Sequence, residues 1–340
     1  MSTASRAASQ ASPSRGASTR TPGKSRSKTA KTTAILKLGR RSLPVSRVEK
    51  VYYPQAGFTK GQVLDYYVKI GSALLPHLKD RPLTLKRYPE GVTGEFFYEK
   101  RCPFYRPDWV KTAPVWSEGT NSTIDFCLAN DLPTLIWAAN LGTLELHTSL
   151  SKANDVLRPT LLAFDLDPGP PADIVQCCQV GLWLREMFGS LGLDCFPKTS
   201  GSKGLQVYVP LNTPGVTYDH TKGLARAIAQ LMEREHPTLI TSVMKKSLRS
   251  NKVFIDWSQN DDHKTTVCVY SLRARETPTV STPVTWHEVE AALKAGDPNR
   301  LRFTAPEVVK RFDKHGDLFE PVLKMKQKLP RDLLANLRAI

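Results

Sequence analysis

Apolar residues recur along this chain with two periods, and the switches between them mark its elements. Thr59-Lys60-Gly61-Gln62 has the form of a helix capping box, and Val63, Leu64, Tyr67, Leu74 and Leu75 follow at helical spacing. Thr160 to Asp167 reads as a strand, alternating from Phe164 to Asp167, and Pro168-Gly169-Pro170-Pro171 closes it as a turn. Residues 172–190 return to the helical period, with Ile174, Cys178, Leu184, Met187 and Phe188 on one face. Gly204 to Leu211 alternates again and places Leu205, Val207, Val209 and Leu211 on one side. A further helix is predicted over about 220–235, and strands near 252–258 and 265–275. Strands and helices interleaved without an internal repeat predict an α/β or α+β fold.

Charged residues interrupt these patterns at a few places. In Phe164-Asp165-Leu166-Asp167-Pro168-Gly169 the two carboxylates sit two apart on a strand, so they share a face while Phe164 and Leu166 share the other. Like charges so placed repel unless a cation lies between them, and hard oxygen ligands suit magnesium or manganese. A strand-end Asp capping the Pro-Gly turn explains one of the two, not both. Asp256 breaks the apolar run Lys252-Val-Phe-Ile-Asp-Trp-Ser258, and a buried carboxylate needs either a shared metal or a lysine partner. Thr199-Ser200-Gly201-Ser202-Lys203-Gly204 is a Gly/Ser turn whose amides, hydroxyls and lysine suit phosphate, although it lacks the GxxxxGK[ST] pattern and a plain hairpin turn would look the same. Glu145 and His147 share a strand face, as do Ser271, Arg273 and Arg275; the latter set reads as a phosphate clamp or as a solvated basic strand.

Charge changes the picture mainly at the N-terminus. The net charge is +16, but residues 1–48 carry 11 Lys and Arg with no Asp or Glu, leaving 37 basic against 32 acidic residues elsewhere. Residues 1–42 are rich in Ser, Ala, Thr, Arg and Lys and predict a disordered basic tail, with residues 43–340 forming one catalytic domain. An arm on nucleic acid, a cleavable presequence and a solubilising segment compete for that tail, and the absence of an amphipathic stripe favours the arm. No run of about 18 apolar residues predicts a membrane span. The six cysteines include no CxxC pair, so they read as small buried hydrophobes in a reducing compartment.

Taken in order, Phe164-Asp-Leu-Asp-Pro-Gly, Thr199-Ser-Gly-Ser-Lys-Gly-Leu, Phe254-Ile-Asp-Trp-Ser-Gln-Asn and Tyr270-Ser-Leu-Arg resemble the polymerase domain of bacterial ligase D, a branch of the archaeo-eukaryotic primase superfamily. The resemblance runs from about Leu43 to residue 320 and implies a primase-type core of mixed and antiparallel sheets flanked by helices. It implies a template-dependent nucleotidyltransferase that fills gaps or extends DNA ends in repair by end joining, with two Mn2+ or Mg2+ ions, NTP or dNTP substrates and a preference for ribonucleotides. By the same resemblance Asp165, Asp167 and Asp256 hold the metals, while His147, Ser200, Ser202, Lys203 and Arg273 surround the triphosphate. Lys50 and Lys60 match a pair that holds a DNA 5′-phosphate, and Lys86, Phe97, Tyr98, Arg249 and Gln259 fall near the template. Gln206 stands where many relatives have His, and it is expected to donate a neutral hydrogen bond to phosphate.

The implied partners are DNA with a 5′-phosphate at a gap or end and nucleoside triphosphates, with no membrane, in a cytoplasmic, nucleoid-associated setting. No ligase lysine motif occurs in the remaining sequence, which predicts reliance on a separate DNA ligase and raises recruitment by a Ku-like protein as a question. Two other readings stay open: a non-catalytic end-bridging protein that kept the fold, and a de novo primase, against which the lack of zinc-ligand spacing counts.

Overall fold

A computed structural model describes residues 33–330. Order begins earlier than the composition predicts. Thr33–Leu38 (β1) and Arg41–Ser46 (β2) pair as an antiparallel hairpin, so residues 33–42 belong to the fold because Leu38, Leu43 and Val45 pack into the core. The expectation for residues 1–32 lies outside the described residues.

Val51–Tyr53 (β3) and Phe58–Thr59 (β4) lead into the helix Lys60–Leu78 (α1). Its capping box is as predicted: the Thr59 hydroxyl accepts from the Gln62 amide, and the Gln62 side chain accepts from the Thr59 amide. Leu83–Arg87 (β5), Phe97–Glu99 (β6), Thr112–Ser117 (β7) and Ser122–Cys127 (β8) follow. Next come Leu132–Asn140 (α2), Thr143–Thr148 (β9), and a small ladder of Ser151–Lys152 (β10) with Asp155–Pro159 (β11).

The predicted carboxylate strand is Leu161–Pro168 (β12), followed by the helix Ile174–Ser190 (α3). Phe196–Thr199 (β13) and Leu205–Pro210 (β14) flank the Gly/Ser turn, and the helix predicted near 220–235 spans Tyr218–Glu235 (α4). Ile240–Thr241 (β15), Val253–Asp256 (β16) and Thr266–Val267 (β17) precede the helices Trp286–Ala295 (α5), Ala305–His315 (α6) and Glu320–Lys324 (α7).

Two sheets organise these elements. One has the order β13-β14-β12-β16-β15, the other β17-β9-β5-β8-β7 with β6 added to β5. Leu162, Phe164 and Leu166 point from β12 into a core shared with α3 and α4, whereas Leu161 and Ala163 join the core of the second sheet. Strand alternation therefore aims Asp165 and Asp167 at the space between the sheets. Strand β14 is buried on both sides: Leu205, Val207 and Val209 face the helices, and Gln206 and Tyr208 face the other sheet. Gln206 is thus no surface residue.

Two sequence expectations are corrected. The strand predicted over 265–275 stops at Val267, because the chain turns at Tyr270, whose φ is 64°; beyond it only isolated bridges form, and Ser271 is buried, donating to the Leu272 carbonyl and accepting from the Leu146 amide. The cysteines are not all free. Cys102 and Cys127 form a disulfide, brought together because Cys102 donates its amide to the Asp125 carbonyl beside the end of β8. Cys177, Cys178, Cys195 and Cys268 are buried free thiols, as expected. No helix among the described residues is long and apolar enough to cross a membrane.

Candidate active site

The pairing of β12 with β16 sets Asp256 directly opposite Asp165, and Asp167 lies two residues along β12 on the same face. Carboxylates 91 positions apart in sequence thus meet through sheet register. Burial raises the pKa of the Asp165 carboxyl, and the charge of Asp167 raises it further, against the hydrogen bond from Gln206. Burial and the charge of Asp256 likewise raise Asp167, opposed by Arg249, Arg273 and Lys203.

Asp256 caps its own short 3-10 turn, accepting from the Ser258 amide (3.1 Å), the Ser258 hydroxyl (2.6 Å) and the Gln259 amide group (2.7 Å). Gln259, expected near the template, thus also holds the Asp256 carboxylate. None of the three aspartates takes part in an ion pair within 4.0 Å among the described residues, so the lysine-partner reading of Asp256 fails. Clustered acidic charge without a bonded cation is the donor set that a hard divalent ion fits. Asp261, Asp262 and His263 also bring donor atoms within 4.8 Å of one another, but Asp261 already pairs with Lys222 at 2.5 Å.

A cavity of about 670 Å³ opens between the sheets, lined among others by Asp165, Asp167, His147, Ser200, Lys203 and Arg273. Ser202, Gln206 and Gln259 also reach it. Six residues placed by sequence around a triphosphate (His147, Ser200, Ser202, Lys203, Gln206 and Arg273) are thus brought to one space.

The Gly/Ser turn is tied internally: the Ser200 hydroxyl accepts from the amides of Ser202 (3.2 Å) and Gly204 (3.0 Å). Gly201 has φ 67°, and a Cβ there would lie 2.5 Å from the Val280 carbonyl carbon, so glycine is required. Arg273 donates to the Ser200 carbonyl and Arg275 to the Ser202 hydroxyl, which ties both arginines to the turn. On the opposite wall Glu145 bonds His147 (3.0 Å) and faces Arg273 (3.4 Å) and Lys86 (3.6 Å). Burial pushes the Glu145 carboxyl up, but the His147 bond and the charge of Arg273 outweigh it and hold it below the ordinary carboxylate range. Burial also lowers His147, against the pull of Glu145.

Lys198 was not anticipated from the sequence. It is buried at the register position opposite Gln206, and its ammonium donates to the Gln206 side-chain oxygen, the Val267 carbonyl (3.0 Å) and the Ser281 hydroxyl (2.7 Å). The Gln206 amide is thereby oriented, oxygen to Lys198 and NH2 to Asp165. The available signal was a lysine in the Phe196-Pro-Lys-Thr strand pattern just before the turn. Thr84 was also missed; it lines the cavity with its hydroxyl lacking a partner.

The remaining candidates divide into two places. Tyr98 lines the cavity, 6.0 Å ring to ring from His147, while Lys86 lies over the rings of Tyr88, Phe96 and Tyr98 at 4.4–5.4 Å. Phe97 alternates to the other side of β6, under Arg87. Arg249 stacks on Phe254, and its charge is felt at Asp167.

Lys50 and Lys60 meet at the start of α1, where the Lys60 amide donates to the Lys50 carbonyl. The Lys60 ammonium donates to the Ser46 carbonyl (2.8 Å), whereas Lys50 donates to Pro89 (2.8 Å) and is paired with Glu90. Burial and the charges of Arg47 and Lys50 lower Lys60 to about 8.

Residues 59–319 match the family model for the LigD primase-polymerase domain. The chain is similar to the multifunctional non-homologous end joining protein LigD of Mycolicibacterium smegmatis, at 40% identity over 276 residues, covering 81% of this chain and 35% of that protein. It is 32% identical over 274 residues to the bifunctional non-homologous end joining protein LigD of Bacillus subtilis, covering 81% and 43% respectively. The chain thus spans less than half the length of these relatives. It also resembles the solved polymerase domain of Mycobacterium tuberculosis ligase D in complex with DNA, with a TM-score of 0.76 and 37% identity over 84% of this chain and 99% of that one.

Proposed function

The chain belongs to the LigD primase-polymerase family, and from that premise we propose that it is a DNA-directed nucleotidyltransferase that extends strands at gaps or ends during end-joining repair. The observation that carries this reading is the set of three aspartates on adjacent strands, without ion-pair partners among the described residues, with Asp165 and Asp167 at the wall of a cavity whose other side is basic and Asp256 opposite Asp165 in register. Asp165, Asp167 and Asp256 would hold two Mg2+ or Mn2+ ions, which when bound supply Lewis acidity at the primer 3′-hydroxyl and charge compensation for the leaving pyrophosphate.

The chain's own residues do the positioning. Gln206 orients Asp165, and Ser258 with Gln259 orients Asp256. Lys203, Arg273 and Arg275 converge on the Gly/Ser turn, where they suit the negative charge of a triphosphate. Glu145 fixes His147 and Arg273 in place, so the basic wall is preorganised before substrate enters. Manganese use and ribonucleotide preference rest on the family resemblance.

Primer extension on a gapped template tests the proposal. Asp165→Ala and Asp167→Ala should each abolish nucleotide addition, a loss on the order of several kcal/mol in transition-state stabilisation. Tm should not fall, because each change removes a carboxylate that its neighbours repel. Appreciable extension by folded Asp165→Ala would refute the assignment, and DNA binding without incorporation by the wild type would favour an end-bridging role.

A further inference from the structure

Residues 102–111 carry an unusual turn. The Arg106 amide donates to the Pro103 carbonyl (3.1 Å), which leaves Phe104 and Tyr105 at the two central positions. Such positions ordinarily go to Gly, Asn, Asp or Pro. Here both are aromatic, and both are bare: Phe104 is 92% exposed and Tyr105 52%. The turn is nonetheless held firmly. Cys102 is bonded to Cys127 and donates its amide to Asp125 (2.7 Å), and the Val110 amide donates to Pro107 (2.9 Å). Folding thus fixes the backbone and leaves the ring faces largely open to solvent.

These rings continue toward β6. Phe104 and Tyr105 pack edge to face with centroids 5.4 Å apart. Arg87 donates to the Tyr105 hydroxyl (3.3 Å) and lies 5.1 Å over the Phe97 ring. Arg87 is itself fixed by two bonds to the Leu141 carbonyl (3.1 and 3.0 Å) and an ion pair with Glu99 (2.9 Å). Because β6 alternates, Phe97 belongs to this outer surface while Tyr98 faces the cavity. Residues 100–111 also hold Lys100, Arg101, Arg106 and Lys111 against a single acid, Asp108.

We propose that Phe104 and Tyr105, joined through Arg87, extend the surface of Phe97, which the family resemblance already puts near the template, into a track on which the unpaired bases of a DNA overhang stack beside the cavity. Rings interleaved with cations are what single-stranded nucleic acid recognises, since each base offers a π-face and each linkage a negative charge. A protein partner would instead favour a continuous apolar patch, and here a guanidinium separates the rings. The choice of DNA rests on the polymerase reading; the stacking geometry does not.

The test is equilibrium binding of fluorescein-labelled hairpin duplexes with a recessed 5′-phosphate and a 3′ overhang of about two or about eight nucleotides, without nucleotide triphosphates. Wild type should gain affinity with the longer overhang. Phe104→Ala and Tyr105→Ala should each remove a factor of about 5 to 150 from that gain. Phe104→Trp should keep it and Phe104→Leu should not, because leucine supplies apolar area without a π-face. Arg106→Gln should reduce the salt slope by about one.

Full retention of the length-dependent gain in the Phe104→Ala, Tyr105→Ala double variant would overturn the proposal. So would equal binding by Phe104→Leu, or a self-association of the wild type that the double variant abolishes with no effect of overhang length. Because no incorporation is needed, a wild type that binds overhangs in this ring-dependent way but never extends a primer would overturn the polymerase reading and leave the track standing.

Discussion

Replacing Lys60 by Met is expected to remove most of the preference for DNA bearing a 5′-phosphate. The start of α1 gathers the charges of Arg47, Lys50 and Lys60, and of these Lys50 is paired with Glu90. Among the described residues Lys60 has no carboxylate partner; its ammonium bonds the Ser46 carbonyl and lies near two like charges. A phosphate that reaches Lys60 therefore gains a charge-assisted bond without displacing a carboxylate, about 1.5–3 kcal/mol, or a factor of about 10 to 150 in affinity. Lys50 must first release Glu90, so Lys50→Met should cost less than Lys60→Met, and Glu90→Gln should strengthen binding.

The pH dependence has a definite sign. The Lys60 pKa is lowered to about 8 by burial and by Arg47 and Lys50, so the preference should fade as pH rises above about 8 and the ammonium loses its proton. Between about 8 and its ordinary value the unfolded chain holds that proton more tightly, so the free protein should gain stability as pH rises through this window. Fluorescence anisotropy on gapped duplexes with and without the 5′-phosphate measures the effect. Equal affinities for the two duplexes in the wild type, or a larger loss in Lys50→Met than in Lys60→Met, would refute the reasoning.

Two further outcomes follow from the buried polar contacts and close packing at the site. Gln206→Ala leaves the Lys198 ammonium short of an acceptor and should lower stability by roughly 1–3 kcal/mol, whereas the same change in a Lys198→Met background should cost much less. Thermal denaturation of the double-mutant cycle checks this, and additivity within about 0.5 kcal/mol would mean the two side chains are not coupled. Gly204→Ala would place a Cβ 2.0 Å from the Leu166 carbonyl oxygen and should cost about 1–3 kcal/mol or more. Gly119→Ala meets nothing within 4 Å and should stay within about 0.5 kcal/mol, so similar Tm values for the two would contradict the packing.

Much of the site was legible from short-range pattern. A strand repeats every two residues, so Phe164-Asp-Leu-Asp by itself puts Asp165 and Asp167 on one face, and Leu205, Val207 and Val209 by themselves choose the core. Helix caps are equally local, which is why Thr59 and Gln62 marked the start of α1. The four motifs, read in order, were enough to reach the family.

Tertiary structure decided everything that depends on which distant segments meet. Register alone set Asp256 against Asp165 and Lys198 against Gln206, and that second pairing orients the Gln206 amide toward the Asp165 carboxylate. A contact at the end of β8 joined Cys102 to Cys127, and packing of Leu38, Leu43 and Val45 against the core drew residues 33–42 out of a tail and into a hairpin. Periodicity records how a side chain is directed relative to its neighbours in sequence. Burial, charge pairing and bonding are set by neighbours in space, and those exist only once the two sheets have closed on each other.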